Sequence, residues 1–158
     1  MPELPEVEVV TRSLKKTIKN RKIIKIIVNN RNLRFKLPKN FESILKNKIV
    51  KNITRKSKYI IFDFGNNFYT ILHLGMSGTL HIPSNKNVTN LSFYSNPTLP
   101  KKHNHIIIEF DKIKLIYNDP RRFGYFKILN NKYDFNKYFT RIGPEALDKG
   151  FNLVYLKN

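Results

Sequence analysis

The sequence predicts an α+β fold, mainly β: an antiparallel sandwich or barrel with a helix at its N-terminal edge. Three observations predict it. Apolar residues recur at three- and four-residue spacing after Pro5, short runs rich in Ile, Val, Phe and Tyr follow, and compact turn signals separate several of those runs. A chain of 158 residues has the length of one domain, and 41% hydrophobic residues supply a core rather than a disordered basic tail.

The helix comes first. Val7, Val10, Leu14 and Ile18 form its stripe, Pro5 suits the first turn, and glutamates at the start and Lys15, Lys16 and Lys19 at the end suit the helix dipole, so a helix is expected over about 5 to 19. The β-rich runs are "KIIKIIV" at 22 to 28, "NLRFKL" at 32 to 37, "IVKNITR" at 49 to 55 and "KYIIFDF" at 58 to 64. Between the second and third, "NFESILKN" places Phe41, Ile44 and Leu45 at helical spacing and predicts a short helix. Two hairpins are expected to reverse at Gly65-Asn66-Asn67 and at Asp111-Lys112. Residues 83 to 102, rich in Asn, Ser and Pro, read as a long surface loop, and the tail from 141 as a Gly-Pro break leading into a helix.

Thirty Lys and Arg against eleven Asp and Glu give a formal net charge of +19, which suits a polyanionic partner, nucleic acid before a membrane surface. No cysteine is present, which excludes a disulfide, a cysteine nucleophile and a thiolate zinc site within these residues. His103 and His105 would share one face of a strand, but no third ligand is evident, so a hydrogen-bonding role is expected and no cofactor. The acidic start does not resemble a signal peptide and the apolar runs are too short to span a bilayer, so a cytoplasmic location is expected.

The chemistry concentrates in a few motifs. Methionine before proline is normally removable, and a chain beginning at Pro2 would carry a secondary amine; α-amino groups titrate at about 7.7 to 8.0, leaving a useful unprotonated fraction at neutral pH. Such an amine can attack a carbonyl or sugar carbon to give an iminium ion, with Glu3 and Glu6 placed to move protons or hold water. The same residues also describe an ordinary helix start. In "NDPRRFGYF" at 118 to 126, Arg121 and Arg122 offer contacts to phosphate or a base edge and Phe123 an apolar wedge that unstacks a base step. In "HLGMSGTL" at 73 to 80, Gly75 and Gly78 permit close backbone approach and expose Met76 as a second wedge. Arg55, Lys56 and Lys58 precede an apolar strand and suit phosphate contact.

Together, "PELPEVEVV", "KSKY", "HLGMSG", "DPRRFG" and "IGPEAL", in that order along the chain, resemble the formamidopyrimidine-DNA glycosylases. The resemblance implies a base-excision repair enzyme that removes oxidised purines such as 8-oxoguanine and formamidopyrimidines from double-stranded DNA. It then cleaves the abasic strand by β,δ-elimination. By the same resemblance Pro2 is the Schiff-base nucleophile, Glu3 the general acid/base, Glu6 its supporting carboxylate and Lys58 a contact to the phosphate beside the lesion. His73 and Arg122 would contact the DNA backbone, and Met76, Arg121 and Phe123 would fill the gap left by the extruded base.

The expected fold is then an antiparallel β-sandwich whose N-terminal helix carries the catalytic residues. Residues 1 to 140 would form the catalytic domain, acting as a monomer at the nucleoid, and 141 to 158 a linker and the start of a helical region. The family's helix-two-turns-helix region and four-cysteine zinc finger are missing from these residues, which predicts impaired activity. Asn104 stands where an acid is expected, with a weakened local hydrogen bond as its consequence, and the loop at 83 to 102 is longer than usual. The competing readings are an endonuclease VIII-like glycosylase for oxidised pyrimidines, a non-catalytic DNA-binding remnant, and a basic protein of the translation apparatus.

Overall fold

The structure is a computed structural model that describes residues 2–83, 88–90 and 100–140. Helix α1 (Leu4–Ile18) leads into strand β1 (Ile23–Val28) and a short helix α2 (Phe41–Leu45). Strands β2 (Asn52–Lys56), β3 (Tyr59–Asp63), β4 (Tyr69–His73), β5 (Thr79–Pro83) and β6 (Val88–Asn90) follow. After a 3-10 turn at Lys101–His103 come β7 (Asn104–Phe110), β8 (Ile113–Asn118), β9 (Tyr125–Leu129) and helix α3 (Lys132–Phe139).

Two antiparallel sheets form, one in the order β1-β7-β8-β5-β6 and one in the order β2-β3-β4-β9. This is the expected antiparallel, mainly β fold. Ile23, Ile26, Ile106, Ile108, Leu115 and Tyr117 of the first sheet and Ile53, Ile60, Phe62, Leu72 and Phe126 of the second belong to one buried apolar cluster. Alternation along β7 sends Ile106, Ile108 and Phe110 into it, and β2 contributes Ile53. Helix α1 adds Val7, Val10, Leu14 and Ile18, each at most 1% exposed. Burying each such side chain is worth about 1.5 to 3 kcal/mol, so the helix is held by its stripe and not by intrinsic propensity.

Both expected hairpins are present. The β3–β4 turn uses Gly65, Asn66 and Asn67, all at positive φ, the conformation for which Gly and Asn are best suited. The β7–β8 turn places Lys112 at φ +62 beside Asp111.

The expected strand at 32 to 37 is absent. Leu33 and Leu37 are buried, but Phe35, which would share their face in a strand, is 56% exposed. The amides of Leu33 and Leu37 both donate to the Arg31 carbonyl, and that of Arg34 to the Gly124 carbonyl. Local turns consume the groups that a ladder would need, and Pro38 brings no donor at all. Part of the expected loop at 83 to 102 is also ordered as β6, which pairs with β5. Pro83 ends β5 and Lys101–His103 form the 3-10 turn; residues 84–87 and 91–99 of that loop, and residues 141–158 with their expected linker and helix, lie outside the described residues.

Candidate active site and nucleic-acid interface

The first group of site residues is assembled by α1 and the β2–β3 turn. Glu3 caps α1 with extended backbone, its carbonyl accepts from the amides of Glu6 and Val7, and its own amide donates to the Glu6 carboxylate at 2.8 Å. Glu6 thereby fixes the backbone that carries Glu3. The Glu3 side chain points outward, 63% exposed, and its Oε2 lies 3.1 Å from Lys58 Nζ. Lys58 emerges from a tight reversal in which Ser57 has φ +52. Pro2 immediately precedes the cap and is half-buried. The structure therefore gathers Pro2, Glu3, Glu6 and Lys58 around the positive end of a helix.

Glu8 ties these elements together. Its Oε2 accepts from Arg55 Nε of β2 at 2.5 Å and its Oε1 from Arg12 Nε at 2.9 Å. The hydrogen bond from Arg55, opposed by partial burial and aided by Arg12, holds the Glu8 carboxyl below the usual glutamate range. Arg55 was expected to contact phosphate; instead it is spent on Glu8 and on the Ser57 carbonyl, which accepts from its Nη1 at 2.9 Å. Lys56, from the same run, lies over the Phe139 ring.

His73 ends β4 opposite Tyr59. Its ring stacks on Tyr125 at 5.6 Å and meets Tyr59 edge-on at 5.0 Å, and its Nδ1 accepts from the Gly75 amide at 3.0 Å. Burial, with smaller contributions from the positive charges of Arg34 and Lys58, lowers its pKa. The ring is thus neutral at pH 7, and with Nδ1 accepting, Nε2 carries the proton and can donate. Burial raises the hydroxyls of Tyr59 and Tyr125 to about 12, and the latter shares a 2.8 Å hydrogen bond with Tyr138.

The second group is made by two turns packed backbone to backbone. Gly75, at φ +65, has no room for a side chain: a Cβ there would lie 2.4 Å from the Gly124 nitrogen. One on Gly124 would lie 2.0 Å from the Tyr117 hydroxyl. The expected close approach is therefore between the two motif loops themselves. Met76 and Phe123 project from them, each 43% exposed, and the Arg121 guanidinium lies over the Phe123 ring at 4.9 Å. Arg122, at φ +57, directs Nη1 to the Asn32 carbonyl at 3.4 Å.

Asp119 holds this pair of turns and was not singled out from the sequence. It is fully buried. Its Oδ1 accepts from Ser77 Oγ at 2.6 Å and the Arg122 amide at 3.0 Å; its Oδ2 accepts from the Tyr117 hydroxyl at 2.6 Å and the Gly124 amide at 2.9 Å. Ser77 Oγ in turn accepts from the Arg121 amide at 3.0 Å. One carboxylate thus sets the spacing between the Met76 loop and the Arg121–Phe123 loop. Its position next to Pro120 and the arginines was the available signal.

His103 and His105 do not share a strand face, because His103 sits in the 3-10 turn. His105 is buried, with Nε2 2.7 Å from the Asp119 carbonyl, which is a hydrogen-bonding role. Asn104 retains a local bond, its Oδ1 accepting from Asn118 Nδ2 at 2.8 Å. No group of three His, Cys, Asp or Glu able to hold a metal occurs among the described residues, and the zinc implied by the family resemblance has no cysteine ligand in these 158 residues. No described helix is long and apolar enough to cross a membrane.

Known proteins bear on this arrangement. Residues 1–126 match the formamidopyrimidine-DNA glycosylase N-terminal domain. The formamidopyrimidine-DNA glycosylase of Wolbachia pipientis from Culex pipiens is 42% identical over 158 residues, 99% of this chain and 54% of the relative. That of Agrobacterium fabrum is 32% identical, covering 99% of this chain and 55% of the relative. Lactococcus lactis formamidopyrimidine-DNA glycosylase, solved non-covalently bound to DNA containing an abasic site, superposes with a TM-score of 0.78 at 30% identity, covering 96% of this chain and 54% of that one. The chain spans about half the length of the curated relatives it matches. Matched by the family model over residues 1–126 and by these relatives along nearly its whole length, the chain belongs to the formamidopyrimidine-DNA glycosylase family, whose N-terminal domain it carries.

Proposed function

We propose that this chain performs the lesion chemistry of base-excision repair, excising oxidised purines from double-stranded DNA and cleaving the resulting abasic strand. The observation that carries the reading is the cluster at the start of α1, where Glu3 follows Pro2, takes its backbone support from Glu6 and its ionic partner from Lys58. With Met1 removed, the Pro2 nitrogen attacks C1′ of the damaged nucleotide, the bond from C1′ to the base breaks, and the departing base takes a proton. The sugar ring then opens as the C1′–O4′ bond breaks and O4′ takes a proton, leaving an iminium at C1′; this acidifies C2′, and Glu3, exposed and adjacent, receives that proton so that the 3′ phosphate leaves. Lys58 binds the phosphate beside the lesion, exchanging its contact with Glu3 for one with DNA. His73 donates from Nε2 to the backbone, Arg122 adds charge there, and Met76, Arg121 and Phe123 occupy the space vacated by the extruded base. The reaction requires no cofactor, and the protein acts as a monomer on DNA in the cytoplasm.

Borohydride trapping tests the reading, because it reduces an iminium to a stable adduct. The chain is mixed with an 8-oxoguanine:cytosine duplex and, separately, with an abasic duplex. A Pro2-dependent adduct with both is expected. An adduct with abasic DNA alone would keep the amine chemistry and remove lesion recognition. No adduct, with Met1 shown by mass to be absent, would overturn the proposal in favour of DNA binding without catalysis.

A further inference from the structure

The apolar stripe of α1 packs the helix against β2, and the Glu3–Glu6 capping box holds the helix start, but neither ties Glu3 to the turn that carries Lys58. Directional bonds are needed to hold Glu3 against Lys58, two side chains carried by different elements. Arg55 supplies them from one guanidinium. Its Nε reaches Glu8, one turn beyond the cap of α1, at 2.5 Å, and its Nη1 reaches the Ser57 carbonyl, the residue before Lys58, at 2.9 Å. The loop then closes on itself: Lys58 Nζ lies 3.1 Å from Glu3 Oε2. The Arg55 side chain is 14% exposed, so this pair is far less screened than the Arg12–Glu8 pair, in which Arg12 is 75% exposed.

Resting on the function proposed above, we infer that Arg55 and Glu8 are positioning residues, a strut that sets the distance between the Glu3 carboxylate and the Lys58 ammonium. Neither touches the reacting atoms. Lysine cannot replace Arg55, because an ammonium lacks the rigid fork that bonds helix and turn at once. The position of Ser57 in the left-handed region makes the turn dependent on such outside support.

The test compares the 158-residue chain with Arg55→Ala, Glu8→Gln and Lys58→Met variants, with two readouts. The first is amide ¹⁵N relaxation, which is independent of catalysis. Arg55→Ala and Glu8→Gln are expected to lower the order parameters of Glu6, Val7 and Lys58 from about 0.85 towards 0.6, leaving Leu14 and Ile18 unchanged. The second is the rate of borohydride trapping on an abasic duplex. Arg55→Ala is expected to slow trapping about tenfold in the wild-type background and less than about twofold with Lys58→Met present, because it acts through Lys58. Unchanged order parameters at Glu6, Val7 and Lys58, or equal slowing in both backgrounds, would overturn the strut. If Arg55→Ala fails to fold, Glu8→Gln, which keeps the side-chain shape, carries both readouts. Failure of the wild-type chain to form any adduct counts against the proposed function alone, and the relaxation data still decide the strut.

Discussion

The two halves of the candidate site are built by opposite means. At the start of α1, Glu3, Glu8, Arg55 and Lys58 are charged, partly exposed and held by ion pairs between side chains, while the Glu6 carboxylate accepts from the Glu3 amide. At the paired loops, Gly75, Gly124 and Asp119 bring backbone against backbone around a carboxylate that water does not reach. The first arrangement can exchange partners, as the proposed function asks of Lys58. The second cannot yield without breaking several buried bonds together. On the proposed function, proton transfer would sit on the adaptable half, and the side chains proposed to enter a duplex, Met76 and Phe123, on the rigid half.

The largest expected effect tests that rigidity. Asp119→Ala leaves the Tyr117 and Ser77 hydroxyls and the Arg122 and Gly124 amides without their acceptor, a loss of about 3 kcal/mol or more, measurable as a fall in urea midpoint. Gly75→Ala comes next. Its Cβ would meet backbone 2.4 Å away at a φ of +65, and a cost of about 2 to 4 kcal/mol is expected in the same assay. By contrast, Met76→Ala and Phe123→Ala remove exposed side chains, and their stability should change by no more than about 0.5 kcal/mol. Borohydride trapping on 8-oxoguanine duplexes should nevertheless fall more than on abasic ones, since an abasic site needs no base extrusion. Equal stability losses for Asp119→Ala and Met76→Ala would remove the distinction between scaffold and wedge.

These contrasts explain what was readable in the sequence. The α1 stripe and both hairpins depend on local periodicity and turn residues, so they were legible, as was the exposure of Met76 between two glycines. Asp119 was not, because its meaning depends on Ser77, 42 positions away, meeting the loop that follows it. Arg55 was read as a phosphate contact because Glu8, 47 positions away, was not visible as its partner. At 32 to 37 the alternation of Leu33, Phe35 and Leu37 suggested a strand, whereas the Arg31 and Gly124 carbonyls capture the amides. A sequence reading therefore identifies the residues of the candidate site more readily than those that hold them in place.

Acid separates the halves more gently. His73 and His81 have lowered pKa values, in both cases because burial disfavours the charged ring. The unfolded chain therefore binds protons near pH 6.5 that the native chain refuses, so stability present above that pH is lost as pH falls through the native values. Glu8, lowered chiefly by Arg55, acts in the same direction at lower pH: its contribution is present above the ordinary glutamate value and is lost as pH falls through the native one. Urea midpoints measured from pH 8 to pH 2 should decline in two stages. In Arg55→Ala the lower stage should shrink and the upper persist; a single stage abolished by that substitution would contradict these assignments.

The smallest expected effect concerns the two arginines that share one carboxylate. Arg12 meets Glu8 at i,i+4 on the helix surface with 75% of its side chain exposed, where water and salt screen the pair and two long side chains must be ordered to form it. Arg12→Ala should cost only about 0.3 to 0.5 kcal/mol, and 0.5 M salt should erase the difference. Arg55 reaches the same carboxylate from a position 14% exposed and bonds a second element besides. If Glu8 served mainly to stabilise the helix, both substitutions would act alike and trapping rates would follow stability. If it serves to place Glu3 beside Lys58, Arg12→Ala leaves trapping on abasic DNA unchanged while Arg55→Ala slows it, because only Arg55 joins the helix to the turn that carries Lys58.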